Sequence, residues 1–154
     1  MSSIGNSETN HLVLVVGYDG TEPAERALKS ATEILQGAPG RMEVVFVAHV
    51  PSSVAFSAQA TASVQQGMDK EEEELGQRVD QVLGQVDVKW HFQRRNGEIA
   101  PELIAAATEQ LASEGPSTHL VLVLGGSAHK IDRYLNSTPV RVLRQDRFEV
   151  LVVP

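Results

Sequence analysis

The chain has 154 residues, 42% hydrophobic and 21% charged, with only 5% aromatic and no cysteine. That is the length of one ordinary domain with an aliphatic core, and it excludes disulfide frameworks and thiolate metal or redox chemistry. The net charge of −7 argues against general affinity for nucleic acid or an anionic membrane. The apolar runs, five or six residues long, fall far short of the roughly 20 that a spanning helix needs.

The charge is uneven. Residues 1–124 carry 8 Lys/Arg against 17 Asp/Glu, and residues 125–154 carry 5 against 3, so a site for an anion is expected near the C-terminal third. Met1 to Asn10 is rich in Ser, Asn and Glu, with neither a basic n-region nor an apolar h-region. It reads as a disordered tail rather than a secretory signal. Ser2 stands where myristoylation requires Gly. The expectation is a soluble cytoplasmic protein with one domain over residues 11–154.

Leu12 to Val16, apolar without alternation and closed by Gly17, suits a strand buried on both faces. Thr21 then caps a helix with Pro23 in its first turn, an apolar stripe of Ala24, Ala27, Leu28, Ala31, Ile34 and Leu35, and a stop at Gly37. Met42 to Val50 is β-branched and bounded by Gly40 and Pro51, a second strand. Residues 51–60 read as a loop before a helix with the stripe Met68, Leu75, Val79 and Val82, ended by Gly84. Val86 to Gln93 alternates as an edge strand does, with Val86, Val88, Trp90 and Phe92 on one side. After a turn at Asn96-Gly97, Pro101 opens a helix carrying Leu103, Ile104, Ala107 and Leu111, which Gly115-Pro116 ends. Leu120 to Leu124 is a fourth strand, Ser137 and Pro139 begin a short fourth helix, and Val150 to Val153 is a fifth strand.

This alternation predicts an α/β fold, a five-stranded parallel sheet with right-handed crossovers and helices on both faces. Ligands of such sheets bind beyond the carboxyl ends of the strands. Here those ends are Tyr18-Asp19-Gly20, His49-Val50-Pro51 and Leu124-Gly125-Gly126-Ser127.

Five short patterns bear on chemistry. Gly125-Gly126-Ser127-Ala128-His129 partly matches a nucleophile elbow, but its last position is not Gly and no His follows His129. His129 and Asp132 lack a second cluster of metal ligands. Glu71 to Glu74 spread around a helix and form a solvated face. Arg141, Arg144 and Arg147 suit either a phosphate patch or the C-terminal charge of a helix, and Arg94-Arg95 reads as surface. No catalytic residue or metal site is therefore expected.

Several linked features resemble the universal stress protein family from about residue 11 to 154. The first is a strand ending Val16-Gly17-Tyr18-Asp19-Gly20-Thr21 before an Ala-rich helix. His49-Val50 ends the second strand, and Gly97-Glu98-Ile99-Ala100-Pro101-Glu102 opens the third helix. Leu122-Val123-Leu124-Gly125, Asn136-Ser137, Val142-Leu143-Arg144 and Val150 to Val153 complete the plan. The resemblance implies an adenine nucleotide alpha hydrolase-like, Rossmann-type sheet of strand order 3-2-1-4-5. It implies a regulatory stress-response role and a homodimer paired through the C-terminal strand. It also implies an ATP or other adenine-nucleotide site in which Asp19 and Val50 flank base and sugar and Leu124 supplies packing. Gly125, Gly126, Ser127, Asn136, Ser137 and Thr138 would hold the phosphates.

The phosphate loop departs from the family's pattern of Gly, two residues, Gly, nine residues, Gly and Ser or Thr. Ala128 and Asn136 stand at the second and third glycines, and the loop is two residues short. Glycine is wanted where backbone takes positive φ or closely approaches a phosphate. Gly126, Ser127, Ser137, Lys130 and Arg133 offer partial compensation. The expected function is therefore a dimeric regulator with weak or no nucleotide binding, and the alternative is a nucleotide sensor. Asp19 retains a second role open to it, as a turn residue that accepts hydrogen bonds from nearby amides.

Overall fold

The computed structural model describes residues 11–49, 58–115, 117–126 and 148–154. The described elements follow the order β1 (His11–Gly17), α1 (Glu22–Gln36), β2 (Gly40–Ala48), α2 (Ala58–Leu83), β3 (Lys89–Asn96), α3 (Ile99–Glu114), β4 (Thr118–Gly125) and β5 (Glu149–Val153). All four strand pairings are parallel and the spatial order is β3-β2-β1-β4-β5, as expected. The short fourth helix expected after Ser137 lies outside the described residues.

Each strand of the sheet's centre feeds two cores, because successive side chains point to opposite faces. Leu14 and Val16 of β1 and Met42, Val44 and Phe46 of β2 pack under α1 and α2. Val13, Val15 and Val45 point the other way, against Leu103, Ala106 and Ala107 of α3. This double burial explains the unbroken apolar runs in the sequence.

Several boundaries differ from the sequence expectation, each for a physical reason. β3 starts at Lys89 rather than Val86, because pairing begins where β2 supplies a partner, at Arg41↔Lys89. Val86 and Val88 nevertheless pack on the same core as Trp90 and Phe92. α2 begins at Ala58, inside the stretch read as loop. In α1 the inward position is Thr32, whose hydroxyl donates to the Leu28 carbonyl oxygen at 2.8 Å. Ile34, expected on the stripe, is exposed near the helix end, and in α2 Leu83 is buried where Val82 was expected. Thr32 lies four residues beyond Leu28, so helical spacing accommodates it and the hydroxyl needs no other partner.

Candidate functional site

The turn after β1 is built by its own polar groups. Thr21 caps α1, accepting at Oγ1 from the Ala24 amide at 3.4 Å, and Asp19 in turn organises Thr21. Its Oδ1 accepts from the Thr21 amide at 3.0 Å and from the Thr21 hydroxyl at 2.6 Å. Asp19 thus fills the turn role open to it from sequence, while its exposed carboxylate still borders the opening beyond the sheet. Gly20 takes φ +78, a left-handed conformation that favours glycine, and a Cβ there would lie 2.6 Å from Leu75 Cδ2 of α2.

Tyr18 is 2% exposed; its hydroxyl donates to Glu25 Oε1, which also accepts from Arg78 Nη2 at 2.8 Å. Burial, then the hydrogen bond to Glu25 and its negative charge, push the phenol's pKa well above the usual tyrosine range. Tyr18 therefore stays neutral and acts as a donor. Together these contacts join the ligand-side turn to α1 and α2.

At the carboxyl ends of β1, β2 and β4 lies a cavity of about 380 Å³. Val45 and Val47 of β2 with Ile99 and Leu103 of α3 form its apolar wall. Asp19 and Thr21 give it polar groups, and Gly125 and Gly126 close it from β4. Its size lies at the small end of ligand sites, and a mostly apolar wall with a few polar groups is the usual composition of such sites.

The two glycines of β4's end have different reasons. A Cβ on Gly125 would stand 1.9 Å from the Pro23 carbonyl oxygen and 2.9 Å from the Ala24 nitrogen. Here backbone approaches backbone, so the end of β4 meets the start of α1 only through glycine. Gly126 instead takes φ +139, with nothing within 4 Å of an added Cβ among the described residues, and its amide donates to the Val153 carbonyl oxygen at 3.0 Å.

Of the residues singled out from sequence, Asp19, Gly125 and Gly126 meet around this one cavity. Leu124 packs with the α3-side core. His49 is exposed at the end of β2. Val50, Ser127, Asn136, Ser137 and Thr138 lie outside the described residues, as do Ala128, His129, Lys130, Asp132, Arg133, Arg141, Arg144 and Arg147. The cavity adds Thr21, Val45, Val47, Ile99 and Leu103, which the sequence reading had assigned to a cap, a strand and a helix. For Val45 and Val47 the signal was there: they share one side of β2 and lie at its carboxyl end.

Two arginines read as surface are ion-paired instead. Arg94 reaches Asp69 at 2.7 Å and Glu72 at 2.9 Å of α2, while Arg95 on the opposite face reaches Glu102 and Glu109 of α3, each at 2.8 Å. Glu43, 3% exposed in the middle of β2, was not anticipated. Its carboxylate meets His91 Nδ1 at 2.7 Å, Gln93 Nε2 at 2.6 Å and Arg41 Nη1 at 3.4 Å. Arg41 also bonds Gln110 and Glu114 of α3. A buried charge with this many partners is a structural network, satisfied throughout among the described residues.

A scan against family models matches the universal stress protein family over residues 13–154. A search of curated proteins gives no sequence match. Among solved structures, the universal stress protein UspA from Lactobacillus plantarum is similar with a TM-score of 0.67 at 15% identity, covering 94% of this chain and 98% of that one. A universal stress protein in complex with cAMP is similar with a TM-score of 0.58 at 20% identity, covering 94% and 98%. A universal stress protein family protein from Arabidopsis thaliana with AMP bound has a TM-score of 0.54 at 12% identity, covering 92% and 90%. At these identities the likenesses establish the fold, the adenine nucleotide alpha hydrolase-like sheet. The family match, spanning nearly the whole domain, carries the assignment: this chain belongs to the universal stress protein family.

Proposed function

We propose that the protein is a cytoplasmic, dimeric regulator of a stress response that takes an adenine nucleotide only weakly, with the adenosine end in the cavity bordered by Asp19, Thr21, Val47 and Gly126. The observation that carries this reading is the position of the cavity, at the strand ends where sheets of this class bind ligands. Two similar structures hold cAMP and AMP, which fits the same chemistry. Weakness follows from the sequence between Gly125 and Asn136, two residues short with Ala128 and Asn136 at glycine positions, because fewer backbone amides can approach a phosphate.

Dimerisation is supported by the two sheet edges. β3 carries the exposed Lys89 at its start, a charge of the kind that opposes pairing with another strand. β5 offers Val150 to Val153 at the other edge, with Leu151 37% exposed. An isologous pairing of β5 with its copy would cover that edge.

Equilibrium dialysis with labelled ATP and cyclic AMP tests the nucleotide reading. Millimolar binding is expected. Saturation at micromolar ligand would instead favour a dedicated nucleotide sensor, and absence of binding at millimolar ligand would remove nucleotide from the account.

A further inference from the structure

We infer that His91 is a phosphoryl-acceptor site, whose Nε2 takes a phosphoryl group from a donor that carries it on nitrogen, a phosphoramidate. It is a different site from the cavity, which none of Glu43, His91 and Gln93 lines. Glu43 lies two residues before Val45 on the same face of β2 and stands opposite His91 in the edge strand β3. Its buried carboxylate meets His91 Nδ1 at 2.7 Å and Gln93 Nε2 at 2.6 Å through Oε1, and Arg41 Nη1 at 3.4 Å through Oε2. Arg41 is itself held by Glu114 at 2.7 Å. An amide and a guanidinium donate to this carboxylate, so it is an acceptor at both oxygens. The ring proton therefore sits on Nδ1, and the Nε2 lone pair faces away from Glu43. The His91 side chain is 69% exposed, so a reagent reaches that ring from solvent.

A carboxylate behind an imidazole fixes its tautomer and offsets the charge of the imidazolium that forms when the far nitrogen reacts. In the step, the Nε2 lone pair bonds to phosphorus as the donor's P–N bond breaks. The donor nitrogen is already protonated, so the electron pair of that bond leaves with it as ammonia. The Nδ1 proton stays in its hydrogen bond, and Glu43 faces the positive charge that the ring acquires. Lys89, exposed two residues earlier on the same face of β3, draws an anionic donor toward the ring. The product sets a phosphate anion on the edge strand beside Lys89, a charge change of the kind that alters partner contacts. Other histidines are placed differently. His11 and His119 turn Nε2 itself to a carboxylate, Glu114 at 3.6 Å and Glu149 at 3.5 Å. His49, exposed at the end of β2, is the solvent-facing reference.

The test incubates the full chain with potassium phosphoramidate in mildly alkaline buffer and follows each imidazole by nitrogen–proton correlation and phosphorus NMR. His91 should be phosphorylated at Nε2 about tenfold faster than His49, the low end of what a carboxylate partner contributes to a working imidazole. Equal or slower reaction at His91, or phosphorylation at its Nδ1, overturns the inference in the wild-type protein alone. Before reaction the His91 ring should report the Nδ1–H tautomer, and an Nε2–H tautomer overturns the inference as well. Glu43→Gln, with its native fold checked by circular dichroism, should bring the His91 rate to within about threefold of the His49 rate and leave His49 unchanged. A His91 rate that this substitution does not lower overturns the assignment.

Discussion

Gly125→Ala tests whether the end of β4 needs glycine for the protein's own packing before any ligand is considered. The added methyl would stand 1.9 Å from the Pro23 carbonyl oxygen and 2.3 Å from its carbon, both backbone atoms at the start of α1. A flexible side chain yields to such a contact, but here either α1 or β4 must shift. Overpacking a well-filled interior costs about 1–3 kcal/mol. With backbone on both sides the upper end applies, so we expect a loss of about 3 kcal/mol, or about 6–12 °C in Tm for a domain of this size. Gly67→Ala is the matched contrast: Gly67 lies exposed within α2 with nothing within 4 Å of its added Cβ. That change should raise stability by about 0.5–1 kcal/mol through helix propensity. Thermal and urea unfolding followed by circular dichroism measures both. A Gly125→Ala protein melting within about 2 °C of wild type would refute the packing argument. The same geometry means that loss of ligand binding in a Gly125 variant reports on folding as well as on phosphate contact.

Three further expectations follow from particular contacts. Val153 turns its carbonyl toward β4, so the intervening Val152 turns its amide outward; Val152→Pro should abolish the dimer in sedimentation while circular dichroism still shows the α/β fold, and a monomeric wild type at micromolar concentration would contradict the pairing. The hydrogen bond from Arg94 holds the Asp69 carboxyl below its usual range, so this contribution to stability is present above the unfolded pKa and is lost as pH falls through the lower folded value. The urea midpoint of Arg94→Gln should therefore lie below wild type at neutral pH and converge with it as pH falls through the carboxyl's lowered range, whereas a constant difference would assign the effect to packing. Glu43→Ala should cost about 2–3 kcal/mol in urea unfolding by stranding Gln93 and part of Arg41's network, and Glu43→Leu should cost less because it refills the space; equal losses would contradict the network.

The five parallel strands and the helices on both faces were legible because the apolar runs and their periodicity report burial directly, whereas the strand order came from the family resemblance. The first turn was legible too: Thr21 and Pro23 have local meaning, and their partners lie within a few residues. What the sequence concealed depends on distant partners. Glu43 reads as one polar residue ahead of Val44 to Val47, and only the pairing of β2 with β3 brings His91 and Gln93 to its carboxylate. Gly125 reads as part of a phosphate loop, and its close approach to Pro23 emerges only when β4 lies beside β1. Ile99 was read within a helix entry and forms part of the cavity because α3 begins at the sheet's carboxyl edge. Ile34 and Val82 were misassigned because helical spacing alone leaves a choice between adjacent positions at a stripe's margin.

Titration of the isotopically labelled protein with adenosine, followed through its backbone amide resonances, tests the central claim that the cavity at the carboxyl ends of β1, β2 and β4 is the ligand site. Saturable shifts at millimolar ligand are expected at Asp19, Thr21, Val47, Ile99 and Gly126, with Lys89 and His91 at the far edge unmoved. Shifts confined to other surfaces, or none at millimolar adenosine or nucleotide, would contradict that claim.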